Sequence, residues 1–120
     1  MARAQVIRLD DLPAGETSRE LVGAEHGDAD ASLILVDAPP GHRVSLHRHP
    51  YAELFVVQEG QATFTAGDEE IVVGAGQIVV VPAGVPHGFV NSGEGPLRQI
   101  DVHASGRFVT EWLEGARTGA

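Results

Sequence analysis

The chain has no cysteine among its 120 residues. That excludes a disulfide framework, a thiolate zinc site and a cysteine nucleophile. It also lacks a long apolar run. The longest purely aliphatic stretches, Leu33 to Val36 and Ile78 to Val81, are far too short for a helix spanning a bilayer. The N-terminal MARAQVIRLDDLPAGE is polar and has no apolar core of a signal peptide, so a cytoplasmic protein is expected. Positive charge is scarce. Eight Lys and Arg face seventeen Asp and Glu, for a formal net charge of −9. Nucleic acid and anionic membranes are bound through clustered positive charge, and neither is expected as a partner. Gly-x-Gly-x-x-Gly and P-loop patterns are absent too, which leaves nucleotide binding without support.

Glycine and proline, by contrast, are plentiful, at fifteen and seven. They punctuate short apolar runs instead of forming a linker, as in a β protein rich in turns. Gln5 to Leu9 reads as an edge strand and Ser18 to Val22 as another. Clearer strands follow: Ser32–Ala38, ended by Pro39-Pro40-Gly41, then His42–His49, closed by Pro50. Further strands read as Glu53 to Gln58, Gln61 to Thr65, Ile71 to Val73, Gln77 to Val81, His87 to Val90 and Leu97 to His103. Glu59-Gly60 and Gly67-Asp68 are hairpin signals. So many short strands predict an antiparallel jelly roll, one domain over 1–120 with its barrel core at about 32–103. The tail reads differently. Ser105 can cap a short C-terminal α-helix at about 106–115, with Phe108, Val109, Trp112 and Leu113 on one apolar face. The single Trp, in that helix, is read as structural and distant from any site.

One constellation carries chemistry. His47 and His49 are two apart on a strand, so both imidazoles face one side. Glu53 follows four residues later, and His87 supplies a third imidazole. Imidazole and carboxylate together suit divalent first-row transition metals. Tyr51 lies between His49 and Glu53 and is a candidate hydrogen-bond donor to a ligand or substrate, with packing as the alternative. Phe55, Val57 and Phe89 either wall a cavity or fill the core. Gln99, Asp101 and His103 share one face of the last strand, opposite Ile100 and Val102, and are read as facing outwards, with orientation of a substrate as the alternative if that face is inside. Asn91 is assigned to holding backbone. His26 and His42 fall in loops and are given no role.

These residues lie in two stretches. Gly41 to Gly60 reads G-x5-H-x-H-x3-E-x6-G, and Gly76 to Asn91 reads G-x5-P-x-G-x2-H-x3-N. The pair resembles the two motifs of the cupin superfamily. The fifteen residues between them, Gln61 to Ala75, match the short intermotif region of small single-domain microbial members. The resemblance covers about 50 residues directly. It implies a jelly-roll barrel with one metal inside, held by His47, His49, Glu53 and His87. Members of the superfamily bind iron, manganese, nickel, zinc or copper, and many are homodimers. Their activities include dioxygenation, isomerisation, epimerisation and decarboxylation, and some are non-catalytic. The expectation is therefore a mononuclear, dioxygenase-like metalloenzyme acting on a small organic molecule. A non-catalytic binding or sensing domain and a metal-dependent isomerase or hydrolase are the alternatives.

Overall fold

A computed structural model describes residues 3–113, and they form two antiparallel five-stranded sheets packed face to face. The strands in chain order are β1 Ser18–Leu21, β2 Ser32–Ala38, β3 Arg43–Arg48, β4 Glu53–Glu59, β5 Gln61–Ala66, β6 Glu69–Gly74, β7 Ile78–Val81, β8 His87–Asn91, β9 Leu97–His103 and β10 Glu111–Trp112. One sheet runs β1-β2-β9-β4-β7 and the other β10-β3-β8-β5-β6. Apart from the β1–β2 and β5–β6 hairpins, consecutive strands alternate between layers, which gives the expected jelly roll. Gln5 to Leu9 is not a strand. That segment has no strand partner and ends in a 3-10 turn at Leu9–Asp11.

Side-chain alternation divides the barrel into two ends. At one end Phe55, Phe64 and Phe89 pack with Val57, Val73, Val79, Val81 and Leu97. Phe55 meets Phe64 edge-on, with ring centroids 4.8 Å apart and planes at 61°. Each such buried side chain contributes roughly 1.5–3 kcal/mol through removal from water. At the other end the inward positions turn polar, through His47, His87, Glu53, Asp101 and His103.

Two local irregularities bring those polar residues together. The β3–β8 register shifts between Val44 and His47. Both therefore line the interior although they are three positions apart, an odd spacing that a regular strand would place on opposite faces. Beside this shift, a Cβ on Gly88 would lie 2.6 Å from the Val44 carbonyl oxygen, so only glycine lets β8 approach β3 next to His87.

The tail is not a helix. Among the described residues the chain after Ser105 crosses the polar end of the barrel and becomes β10, where Glu111 pairs with Arg48 and Trp112 with His47. The last part of the expected helix, residues 114 and 115, lies outside the described residues. Strand pairing satisfies this backbone where the helix would have used its own carbonyls. Arg48 Nε and Glu111 Oε1, 2.6 Å apart, reinforce the pairing at the surface.

β9 is inside out relative to expectation. Gln99, Asp101 and His103 are buried between the sheets, whereas Ile100 and Val102 face outwards. Their outward neighbours are also aliphatic. Leu21, Leu33, Val102, Leu54 and Val80 lie side by side across all five strands of the first sheet. Two positions along, Leu35, Ile100, Val56 and Ile78 form a second row, with Arg19 on the edge strand. Among the described residues no helix is long and apolar enough to cross a membrane.

Candidate metal centre

His47 and His49 come from the end of β3 and the residue after it, Glu53 opens β4, and His87 opens β8. One ligand atom from each lies within 4.8 Å of the others, and all four residues are buried. Glu53 Oε1 is 3.0 Å from His49 Nε2 and 3.1 Å from His87 Nε2. Two ligands at right angles on an ion, each about 2.1 Å from it, stand about 3.0 Å apart. Those two separations therefore match adjacent positions around one ion.

The backbone sets the orientation of all three rings. The Nδ1–H of His47 donates to the Ser45 carbonyl at 2.7 Å, and that of His87 to the Val85 carbonyl at 2.9 Å. The Nδ1–H of His49 donates to the Val109 carbonyl at 2.8 Å, from the tail strap. A neutral imidazole has one N–H, so these bonds leave each Nε2 as a lone pair aimed inwards. A lone pair facing a carboxylate oxygen at 3 Å needs a cation between them, either a proton or a metal ion. His49 Nε2 is buried and has no aligned hydrogen-bond partner, as an atom reserved for an ion would be. The donor set, neutral nitrogens with one carboxylate, fits a divalent transition metal.

Charge follows from this packing. Burial alone would raise the Glu53 carboxyl, but His103, His49 and His87 outweigh it and hold the group well below the usual carboxylate range. His47 is lowered to about 4, by burial first and then by the neighbouring His87 and His49 rings, against the opposing Ser45 carbonyl. Burial pushes His49 down as well, yet Glu53 and the Val109 carbonyl reverse the sign and leave it raised.

A second group of polar residues stands behind these four. Val109 N–H donates to Tyr51 Oη at 3.1 Å, and the Tyr51 hydroxyl donates to His103 Nδ1 at 2.7 Å. His103 Nε2 then lies 2.9 Å from Glu53 Oε2, in close contact without an aligned hydrogen bond. Tyr51 thus stacks on the His49 ring and meets a protein group, not the cavity. One strand position further in, Asp101 Oδ1 accepts from Gln99 Nε2 at 2.9 Å. Burial, then the Glu53 charge, push the Asp101 carboxyl well above its normal range against the pull of Gln99.

Beside the four potential ligands is a cavity of about 340 Å³. Phe55 and Phe89 line it and also belong to the core, whereas Val57 is core alone. Trp112 is not remote. Its ring centroid is 4.8 Å from that of His47, and with Phe108 and Thr110 it forms the cavity wall on the strap side. His42, given no role from sequence, lines the same space. Asn91 holds backbone as expected, donating to the Ala38 and Gly95 carbonyls. The residues missed from sequence were His103 and Asp101 as inward groups and the strap aromatics. Their signal was the alternation of positions 99, 101, 103 and of 108, 110, 112, each set sharing one face of an extended chain.

The fold and this constellation are those of a cupin. The cupin domain profile matches residues 34–103, more than half of the chain, which belongs to that family. Among curated relatives, Protein SchB of Streptomyces halstedii is 29% identical over 104 residues, covering 82% of this chain and 75% of SchB. Xanthan biosynthesis protein XanB of Xanthomonas campestris pv. campestris is 36% identical over 77 residues; the match covers 63% of this chain but only 16% of XanB. Among solved structures, a conserved double-stranded β-helix protein of Klebsiella pneumoniae superposes with a TM-score of 0.73 at 23% identity, covering 93% of this chain and 99% of that one. Oxalate decarboxylase of Bacillus subtilis, a protein with Mn(II) centres, gives 0.75 at 21% identity, over 88% of this chain and 31% of its own. At such identities the structural likeness is one of fold.

Proposed function

We propose that His47, His49, Glu53 and His87 hold one divalent transition metal, iron, manganese, nickel, zinc or copper, and that the protein is a dioxygenase-like metalloenzyme acting on a small organic molecule. The observation that carries this reading is the set of three Nδ1–H bonds to backbone carbonyls, which leave three Nε2 lone pairs free. Those of His49 and His87 lie 3.0 and 3.1 Å from one Glu53 oxygen, and one ligand atom of each residue is within 4.8 Å of the others. When bound, an ion with four protein ligands supplies Lewis acidity and open positions for substrate and dioxygen.

The chain's own residues have three tasks in this reading. His47, His49 and His87 stay neutral as donors, and Glu53 contributes one negative charge. His103, backed by Tyr51, stands at the second carboxylate oxygen of Glu53 and can hold or pass a proton there. Phe55 and Phe89 give the cavity an apolar wall. The four ligands leave the cavity itself free for a molecule, which favours turnover or capture over a purely structural ion.

Elemental mass spectrometry tests the metal, on protein purified without a tag or chelating column. Near one equivalent per chain in wild type, and almost none in His47→Ala/His49→Ala, is expected. No metal retained, and none taken up when iron, manganese, nickel, zinc and copper are offered in turn, would defeat the proposal. Oxygen consumption with catechol-type and thiol substrates then separates an enzyme from a binding or sensing domain.

A further inference from the structure

The cavity beside the four potential ligands has no lysine or arginine in its wall. The chain contains no lysine, and none of the arginines among the described residues lines it. The acidic groups that do are Glu20 at the mouth, Glu53 at the proposed metal and Asp101 within. A carboxylate ligand would thus meet the charges of Glu20 and Glu53 and find no lysine or arginine to pair with.

Beside the imidazoles and the hydroxyls of Thr17, Ser18 and Thr110, the surface is apolar and largely made of rings. Ile34, Val44, Phe55, Phe89, Phe108 and Trp112 supply it. Trp112 packs on the His47 ring, and Phe108 meets the His103 ring edge-on at 4.8 Å and 88°. Flat side chains from the strap and from the barrel thus bound the same space. At about 340 Å³ it is the size of a small-molecule site and has room for a bicyclic aromatic. Asp101 is 4% exposed, with one carboxyl oxygen engaged by Gln99. Its other oxygen can accept from a hydroxyl of a bound molecule or, when the carboxyl carries its proton, donate to a carbonyl.

We infer that the cavity takes an uncharged, flat aromatic molecule bearing a hydroxyl or carbonyl oxygen, and discriminates against carboxylates. The inference deepens the proposed reading, since this space would be the substrate's place beside the metal. The wall composition stands without the ion.

Trp112 is the single tryptophan of the chain and lines the cavity, so its indole N–H cross-peak in a ¹⁵N-correlated NMR spectrum reports occupancy directly. Three probes of similar size separate the contributions: 2-naphthol, 2-naphthoate and trans-2-decalol. In titrations at pH 7.5 we expect 2-naphthol to shift the Trp112 signal, and 2-naphthoate and trans-2-decalol to bind at least tenfold more weakly. Glu20→Arg, an exposed change at the mouth, should raise naphthoate affinity several-fold and leave naphthol unchanged. Naphthoate binding as tightly as naphthol, or no naphthol-induced shift up to its solubility, overturns the inference. Equal binding of the saturated decalol overturns its aromatic part. Metal content measured on the same samples keeps the two readings apart. Selective naphthol binding by metal-free protein that takes up no ion would leave this inference standing and remove the metal. A metal-loaded protein preferring naphthoate would do the reverse.

Discussion

The hydroxyl of Tyr51 donates to Nδ1 of His103 across 2.7 Å while accepting the N–H of Val109. One phenol thus ties together the turn before β4, the end of β9 and the tail strap. Tyr51→Phe removes a donor and an acceptor at once and leaves His103 Nδ1 unpaired. We expect a loss of about 1–2 kcal/mol in stability, seen as a lower melting temperature, with metal content unchanged. Loss of the metal in this variant would mean that Tyr51 belongs to the ion's immediate surroundings.

Protons compete with a metal for the same Nε2 lone pairs. Although burial opposes it, Glu53 and the Val109 carbonyl leave His49 raised, so it takes up a proton before His47, which is held near 4. Metal should be fully retained at pH 8 and released as pH falls through roughly 6.5 and below. Equilibrium dialysis between about pH 5 and 8, followed by elemental analysis, measures this. A content that stays level over the whole range would count against histidine ligation.

Asp101 gives the opposite pH dependence. Burial and then the Glu53 charge raise its folded value above the unfolded one, which is near 3.9. Its contribution is complete below the unfolded value and is lost as pH rises through the folded one, because the unfolded chain can ionise and the folded chain resists. Asn at this position cannot ionise. Asp101→Asn should therefore melt higher than wild type at pH 8, by several degrees, with the difference vanishing below about pH 4. The same gain at both pH values would show that the carboxyl does not titrate in this way.

The aliphatic rows outside the first sheet bear on the homodimer expected from the family resemblance. Copies carrying a formal charge of −9 repel one another, so a contact between them needs a surface poor in charge. The ten positions of these rows hold one charged residue, Arg19, which is engaged by the Asp10 and Leu12 carbonyls. Ile78 and Val80 are 58% and 62% exposed. A second copy, related by a twofold axis, is the occupant expected on this face. Sedimentation equilibrium should give a dimer for wild type and a monomer for Val80→Lys. A monomeric wild type at high micromolar concentration would remove the expectation.

The candidate ligands were legible because their information is local. His47 and His49 share a strand, Glu53 is four residues on, and the spacing around His87 is that of a second motif. Strand content was legible from turn residues for the same reason. What failed depended on the other layer. Gln99, Asp101 and His103 alternate with Ile100 and Val102, and alternation identifies two faces without saying which is buried. The usual choice, polar outside, is wrong for a strand whose inner end lines a polar site. The tail failed through ambiguity of period. Phe108 and Trp112 fit one side of a helix, yet with Thr110 they equally fit one side of an extended chain. The free backbone of β3 decided between them, and no local signal records that edge.

The bond from His49 to Val109 spans 60 residues of chain. A nascent polypeptide emerges from its N-terminus, so all four potential ligands leave the ribosome well before the carbonyl that orients one of them. Until the strap arrives, the His49 ring is free to turn and either nitrogen can meet an ion. The order of synthesis therefore places correct coordination after completion of the barrel. An ion captured before the strap is in place would meet a His49 ring whose Nδ1 lacks its carbonyl partner.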